Sequence, residues 1–345
     1  MKYTTLPNTD LKVSRICLGT MTFGNQNTET DAHAQLDLAL GKGVNFIDTA
    51  EMYAVPSSPA TQGLTEKYIG TWLAKARKRD SVVLASKITG PSRGFNYIRE
   101  PLDFSAKSMD DALHKSLKRL QTDHLDLYQL HWPERAVNVF GAREYRHAQN
   151  ESWEDNLATL VDRLETHVKA GKIRHIGVSN ETPYGLMRYM EAHRNGKRKM
   201  VSVQNAYNLL QRRDETGLTE VLHMENVGYL PYSPLAFGQL SGKYLNGKKP
   251  ANARTTLFPN YSRYHSKSSF AATGRYYKIA QKHGLSLAQM ALAFVNGRPF
   301  VTSTIIGATT LEQLAENIEN INVTLSREVL SEIETVHSQI PNPAP

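Results

Sequence analysis

VNFIDTAEMY, residues 44–53, decides the fold, because an apolar run stops abruptly in a carboxylate, Asp48, and then reaches a phenol, Tyr53. Two later β-branched or apolar runs end the same way. SVVLASK (81–87) stops at Lys87, and LDLYQLH (125–131) stops at His131. In a sheet of parallel strands these four residues meet at the carboxyl ends, where such folds place their chemistry. Taken singly each has a structural alternative: Asp48 as a helix cap, Tyr53 as a rim aromatic, Lys87 as a solvated charge, His131 as a satisfied inner histidine. Their joint placement at successive strand ends favours a site.

Working outward from this stretch, the chain alternates short strand runs with amphipathic helical segments. Ahead of it, YTTLP and LKVS flank NTD and predict a hairpin, and SRICLGT (14–20) is a first strand followed by a helix in DAHAQLDLALGKG. VNFID, SVVLASK and LDLYQLH are the second to fourth strands, with helices near GLTEKYIGTWLAKA, SMDDALHKSLKRL and WEDNLATLVDRLETHVKAGK. IRHIGVSN, MVSVQNA, VGYLPYS and TSTIIG complete eight, with helices beginning at Thr182-Pro183, over ETGLTEVLHMEN, in YYKIAQKH and SLAQMALAFV, and over LEQLAENIEN. Pro suits a first helical turn. Eight strand-helix units without a long linker predict one α/β domain over residues 1–345, a (β/α)8 TIM barrel with an N-terminal β-hairpin. SREVLSEIETVHSQ adds an extra C-terminal helix. A doubly wound sheet is the competitor, but LGTMTFGNQ after the first strand is not the Gly-rich dinucleotide fingerprint. Loops 53–62, 132–152 and 233–267 are longer than a plain connection needs, and all three follow strand carboxyl ends, where loops shape pockets.

The 345 residues are 40% apolar, enough for one large core. A formal net charge of +8, from 41 Lys and Arg against 33 Asp and Glu, is compatible with an anionic partner. The basic residues are scattered, however, with short clusters only at KARKR (75–79) and RNGKRK (194–199) and no interleaved aromatic platform. That argues against nucleic acid and for a small anionic molecule. The single cysteine, Cys17, excludes an intramolecular disulfide and a cysteine-rich metal site. The N-terminus lacks a signal-peptide pattern and no run reaches a membrane span, so the expected setting is cytoplasmic and away from membranes.

The four residues make coherent chemistry if they converge. A free tyrosine, with a pKa of about 10, is a weak acid near neutrality. A neighbouring Lys87 ammonium is expected to lower that value, with Asp48 holding the ammonium charged and oriented. His131 then hydrogen-bonds a substrate oxygen beside the phenol, and the set suits proton donation to a carbonyl.

LGTMTFG, FIDTAEMY, KRLQTDHLDLYQLHWP, AGKIRHIGVSN, LPYSPLAFGQLSGKYLNG and IIGATTLEQLAENI together resemble the aldo-keto reductase superfamily across nearly the whole chain, in its bacterial Tas-type branch, kin of the potassium-channel β subunits. The resemblance implies a barrel using NADP(H), with the superfamily's tetrad on Asp48, Tyr53, Lys87 and His131 and Tyr53 as the general acid in reduction of an aldehyde or ketone. It also implies cofactor contacts at Thr20, Met21, Asp48, Ser179, Asn180 and Gln204, with Tyr232 stacking on the nicotinamide. Ser233, Pro234, Leu235, Ala236, Phe237 and Gly238 match the pyrophosphate loop, and Lys243 and Arg254 its cations. Gly307, Thr309, Gln313 and Asn317 match the adenosine site. One departure is visible: GATTLEQLAEN has no Lys or Arg for a 2′-phosphate, so that preference rests on Lys243, Arg254 and Arg298. The alternative is a cofactor-sensing subunit with vestigial catalysis, as in the β subunits. There the family's His is typically Asn, and here it is His131. Met52 and Trp132, with Phe140 and Tyr145, are expected to line a pocket for a carbonyl compound with an apolar body.

Overall fold

Short parallel strands, buried at nearly every residue, form the centre of the fold, and helices surround them. The computed structural model describes residues 1–91, 93–146 and 153–344. β1 (Tyr3–Thr5) pairs antiparallel with β2 (Lys12–Ser14), and the turn closes through Leu6 N–H donating to Leu11 O at 2.9 Å. β3 (Ile16–Gly19), β4 (Phe46–Asp48), β5 (Val83–Ile88), β6 (Leu125–Leu130), β7 (Ile173–Ser179), β8 (Met200–Gln204) and β9 (Gly228–Tyr229) pair parallel in chain order, and β10 (Thr304–Ile306) pairs with β3. Two bonds close the ring on the other side: Thr302 N–H donates to Tyr229 O and Ile305 N–H to Pro231 O, both at 2.9 Å. These eight strands with their helices form the expected (β/α)8 barrel, behind an N-terminal hairpin.

The crossover helices are α1 (Glu29–Gly41), α2 (Leu64–Ala76), α3 (Ala106–Leu120), α4 (Leu157–Lys169), α5 (Pro183–Arg194) and α6 (Leu218–Met224). Then come a short α7 (Arg254–Leu257), α8 (Lys267–Lys282), α9 (Leu287–Asn296), α10 (Leu311–Glu319) and the extra α11 (Arg327–Gln339). Hydroxyl caps start many of them. Thr28 and Asp31 form a reciprocal capping box on α1, as Ser286 and Gln289 do on α9, satisfying amides that a helix start leaves without partners.

Two elements differ from expectation. VGYLPYS contributes only Gly228–Tyr229 to the ladder, since Pro231 has no N–H to donate, although the chain continues in register to a bridge between Ala206 and Tyr232. The helix expected over ETGLTEVLHMEN is confined to Leu218–Met224 behind a 3₁₀ turn at Arg213–Thr216.

The core has two layers. One lies between strands and helices. The other fills the barrel: Cys17, Phe46, Val83, Ala85, Leu127, Val201, Leu230 and Ile305 pack on Leu6, Leu11 and Val13, so the hairpin plugs the amino end. Strand side chains alternate between faces. Two residues beyond the inward Phe46, Ala85 and Leu127 come Asp48, Lys87 and Gln129, which places a polar layer on top of the apolar one. The register sets Lys87 beside Gln129 and Asp48 beside Ala85. Among the described residues no helix is long and apolar enough to cross a membrane.

Candidate active site

That polar layer is a closed set of hydrogen bonds. Lys87, fully buried, donates through Nζ to Asp48 Oδ2 at 2.6 Å and to Thr49 O at 2.8 Å. The other carboxylate oxygen, Oδ1, accepts from Gln204 Nε2 at 2.8 Å and Gln129 Nε2 at 3.3 Å. Burial works against the ammonium, but the Asp48 carboxylate outweighs it and holds Lys87 above its ordinary range. Tyr53 and His131 sit over this layer. The Lys87 nitrogen is 5.1 Å from the Tyr53 ring centre, and the Tyr53 and His131 rings meet edge-on at 5.8 Å. The structure thus brings together all four residues that end or follow the strands.

The expectation for the phenol is corrected in sign. Burial raises the Tyr53 pKa above its ordinary 10, and Lys87, which does favour the phenolate, only offsets part of that rise. Burial, with help from the Lys87 and Arg93 charges, holds the His131 imidazole well below its ordinary 6.5, so the ring is neutral at physiological pH. Its Nδ1 is buried without a hydrogen-bond partner among the described residues.

The residues around the tetrad are tightly tied to it. Thr20 Oγ1 donates to Asp48 O at 2.8 Å, and Met21 O accepts from Val55 N–H, also at 2.8 Å. Ser179 Oγ donates to Gln204 O at 2.8 Å. Asn180, at a left-handed φ of 54°, donates from Nδ2 to His131 O at 2.9 Å, while its Oδ1 accepts from the Tyr232 phenol at 2.7 Å. Beyond Tyr232, the backbone of 233–238 turns through positive φ at Ser233, Ala236, Phe237 and Gly238, an irregular concave path around Pro234 and Leu235. Lys243 lies against it, its Cε 3.0 Å from where a Cβ on Gly238 would stand, and the Arg254 guanidinium lies 5.1 Å over the Phe237 ring. Burial depresses both cations, and Arg254 depresses Lys243 further. Neither is ion-paired among the described residues. Such a pair fits an anion.

On the far side, Asn317 Nδ2 donates to Gly307 O at 3.3 Å, and Gln313 Oε1 accepts from Thr309 N–H and Oγ1, each at 3.2 Å. These four residues form one polar corner at the start of α10. Arg298 does not belong here. It precedes β10, at the strand's amino end, and is stacked 4.1 Å over Phe294 and paired with Glu334 at 3.3 Å.

Met52 and Trp132 are both in the cluster beside Tyr53, and the structure adds Phe95 and Ile98 to it. Trp132 Nε1 donates to Pro91 O at 2.8 Å, and its ring fills the space a side chain on Gly90 would need, with an atom 2.5 Å from the Cβ position. Phe140 reaches Trp132 edge-on at 5.9 Å, whereas Tyr145 is 53% exposed. Residues 147–152 of the 132–152 loop lie outside the described residues.

Sequence reasoning missed Gln129, Glu51 and the loop after β5. Glu51 is buried in FIDTAEMY itself, accepting from Thr89 N–H at 3.0 Å and pairing with Arg99 at 2.6 Å, and so ties that loop to the site. The available signal was KITGPSRGFNYIREPLDF, whose Gly, Pro and aromatic content follows a strand carboxyl end.

A family model described as "Aldo/keto reductase family" matches residues 15–338. "Protein tas" of Escherichia coli strain K12 is 52% identical, with all of both chains covered. A "Probable voltage-gated potassium channel subunit beta" of Oryza sativa subsp. japonica is 31% identical over 97% of this chain and 96% of its own. "L-glyceraldehyde 3-phosphate reductase" of Escherichia coli strain K12 is 29% identical over 97% of this chain and 92% of its own.

Proposed function

The chain belongs to the aldo/keto reductase family, and from that premise we propose that it reduces small aldehydes or ketones to alcohols with NADP(H), residues 1–345 acting as one barrel unit. The observation that carries this reading is the buried Asp48–Lys87 pair beneath Tyr53 and a neutral His131.

The 233–238 path with Lys243 and Arg254 suits a pyrophosphate. Ser179, Asn180 and Gln204, with Thr20 and Met21, suit the carboxamide end, Tyr232 the ring face, and Gly307, Thr309, Gln313 and Asn317 the adenosine. Between Gly307 and Asn317 stand Glu312 and Glu316 but no cation, and Arg298 is paired elsewhere, so selectivity for the 2′-phosphate falls to Lys243 and Arg254. When bound, the reduced nicotinamide supplies a hydride to the carbonyl carbon.

The chain's own residues handle the oxygen. As negative charge develops there, the oxygen becomes a stronger base than a phenolate, and Tyr53 donates its proton. The raised pKa keeps that proton on the phenol at neutral pH. Lys87 stabilises the phenolate left behind, and Asp48, anchored by Gln129 and Gln204, keeps Lys87 charged. His131, neutral and fixed through its backbone carbonyl by Asn180, orients the same oxygen by a hydrogen bond. The phenolate regains its proton from solvent.

The test is to mix the purified protein with NADPH, then NADH, and follow absorbance loss against a panel of aldehydes and ketones, with binding read by fluorescence. Turnover with NADPH on several carbonyls is expected. Tight binding without turnover on any of them would replace the reductase by a cofactor sensor.

A further inference from the structure

Reduction of a neutral carbonyl leaves Arg93 without a task. It stands in the loop after β5, which Glu51 anchors through Arg99 and Thr89. Its guanidinium lies 4.2 Å from the Phe140 ring centre and 5.7 Å from that of Trp132, and the Trp132 ring is 5.0 Å from that of His131. Aromatic faces hold the planar group in place while leaving its N–H fork free for another partner. A second cation approaches from β8: Arg213 Nη1 donates to Ala142 O at 3.0 Å, so two guanidiniums bracket the turn 140–142 that follows the catalytic strand end. A third, Arg263, hydrogen-bonds the Tyr232 phenol.

No carboxylate pairs with Arg93 among the described residues, and partial enclosure of an otherwise exposed guanidinium pushes its pKa down, whereas Arg213 and Arg263 both have the Asp214 carboxylate as a nearby counter-charge. A guanidinium that has no built-in counter-charge is available to an anionic ligand. A guanidinium fork at an aromatic wall matches carboxylate and phosphate geometry.

We infer that the substrate is a carbonyl compound bearing an anionic group, a carboxylate or a phosphate ester, at the end remote from the carbonyl, and that Arg93 selects it. The aromatic wall of Trp132, Phe95 and Phe140 takes the body between the two ends. This rests on the reductase reading of Tyr53 and His131.

The test compares matched pairs with NADPH: 4-carboxybenzaldehyde against its uncharged methyl ester, methyl 4-formylbenzoate, and glycolaldehyde phosphate against glycolaldehyde. In the native protein at least one anionic member is expected to have a kcat/KM about tenfold above its neutral partner, through KM, the size a partly exposed charge-assisted contact gives. The pair that responds tells carboxylate from phosphate. In Arg93→Gln that ratio should fall to near one, and in Arg93→Lys it should be partly kept. Because each ratio is internal to one variant, a loss of folded protein does not mimic the result. Ratios near one in the native protein, with the neutral compounds turned over, would overturn this inference and leave the reductase reading standing. An anionic preference untouched by Arg93→Gln would overturn it as well. Failure to reduce either member of either pair would sink the reductase reading and this inference with it.

Discussion

The two ends of the barrel treat charge differently. At the amino end, Asp126 pairs with Arg79 at 2.9 Å and Arg174 at 2.7 Å, and Asp10 pairs with Arg174 at 2.6 Å and His175 at 3.1 Å. Asp10, Arg79, Asp126 and Arg174 line a cavity of about 270 Å³ beside the hairpin, and Asp126 holds Arg174 above its ordinary pKa. At the carboxyl end Lys243 and Arg254 are depressed by burial and the more exposed Arg93 by partial enclosure, and among the described residues no acid is paired with any of the three. Where a cation's counter-charge is built in, removing that partner destabilises the fold. One left without it is held ready for a ligand. The carboxyl end also has internally paired cations: Glu51 holds Arg99 and Glu181 holds Arg135, bracing the loops there, and Asp48 holds Lys87, whose charge serves a phenol rather than an anion.

The sharpest way to break this comparison is Tyr53→Phe. It should lower turnover by roughly 10³-fold, the scale of a lost general acid, while dinucleotide affinity measured by fluorescence stays within about threefold. Normal turnover would remove Tyr53 from the mechanism. Next in size, Asp126→Asn should destabilise by about 2–3 kcal/mol in denaturant unfolding, since it takes the carboxylate from Arg79 and leaves the partly solvated Arg174 with Asp10 alone. Unchanged stability would mean the amino-end network is decorative. Lys243→Gln and Arg254→Gln should each weaken dinucleotide binding by about tenfold without lowering the thermal midpoint. A drop in that midpoint with binding intact would put these cations in the structural class of Arg174.

The smallest effect is in pH. A protonated Tyr53 is needed for reduction, and its folded pKa lies above 10, so activity is lost only as pH rises past that value. His131 acts neutral, and its folded pKa lies below 6.5, so its loss comes only as pH falls below that. Reduction kcat/KM should therefore be flat between 6.5 and 10, and an inflection inside that window would contradict the buried environment of both groups.

Much of the site was legible because strand chemistry is local. A strand that ends in Asp, Lys or His exposes that side chain at the carboxyl rim whatever the rest of the chain does, and period-two alternation fixes which face it shares with its neighbours. The sequence by itself therefore determined the eight units, the hairpin, and Asp48, Tyr53, Lys87 and His131 as a set. Ring closure decided the rest. Gln129 reads as one more polar residue in LDLYQLH until the register sets it beside Lys87. Arg93 reads as one more loop cation until Phe140, from the loop after the next strand, comes under it. The sign of the Tyr53 shift depends on how much protein surrounds the phenol as well as on which ammonium is near. Desolvation sums over contacts from many distant segments, and only the tertiary structure assembles them.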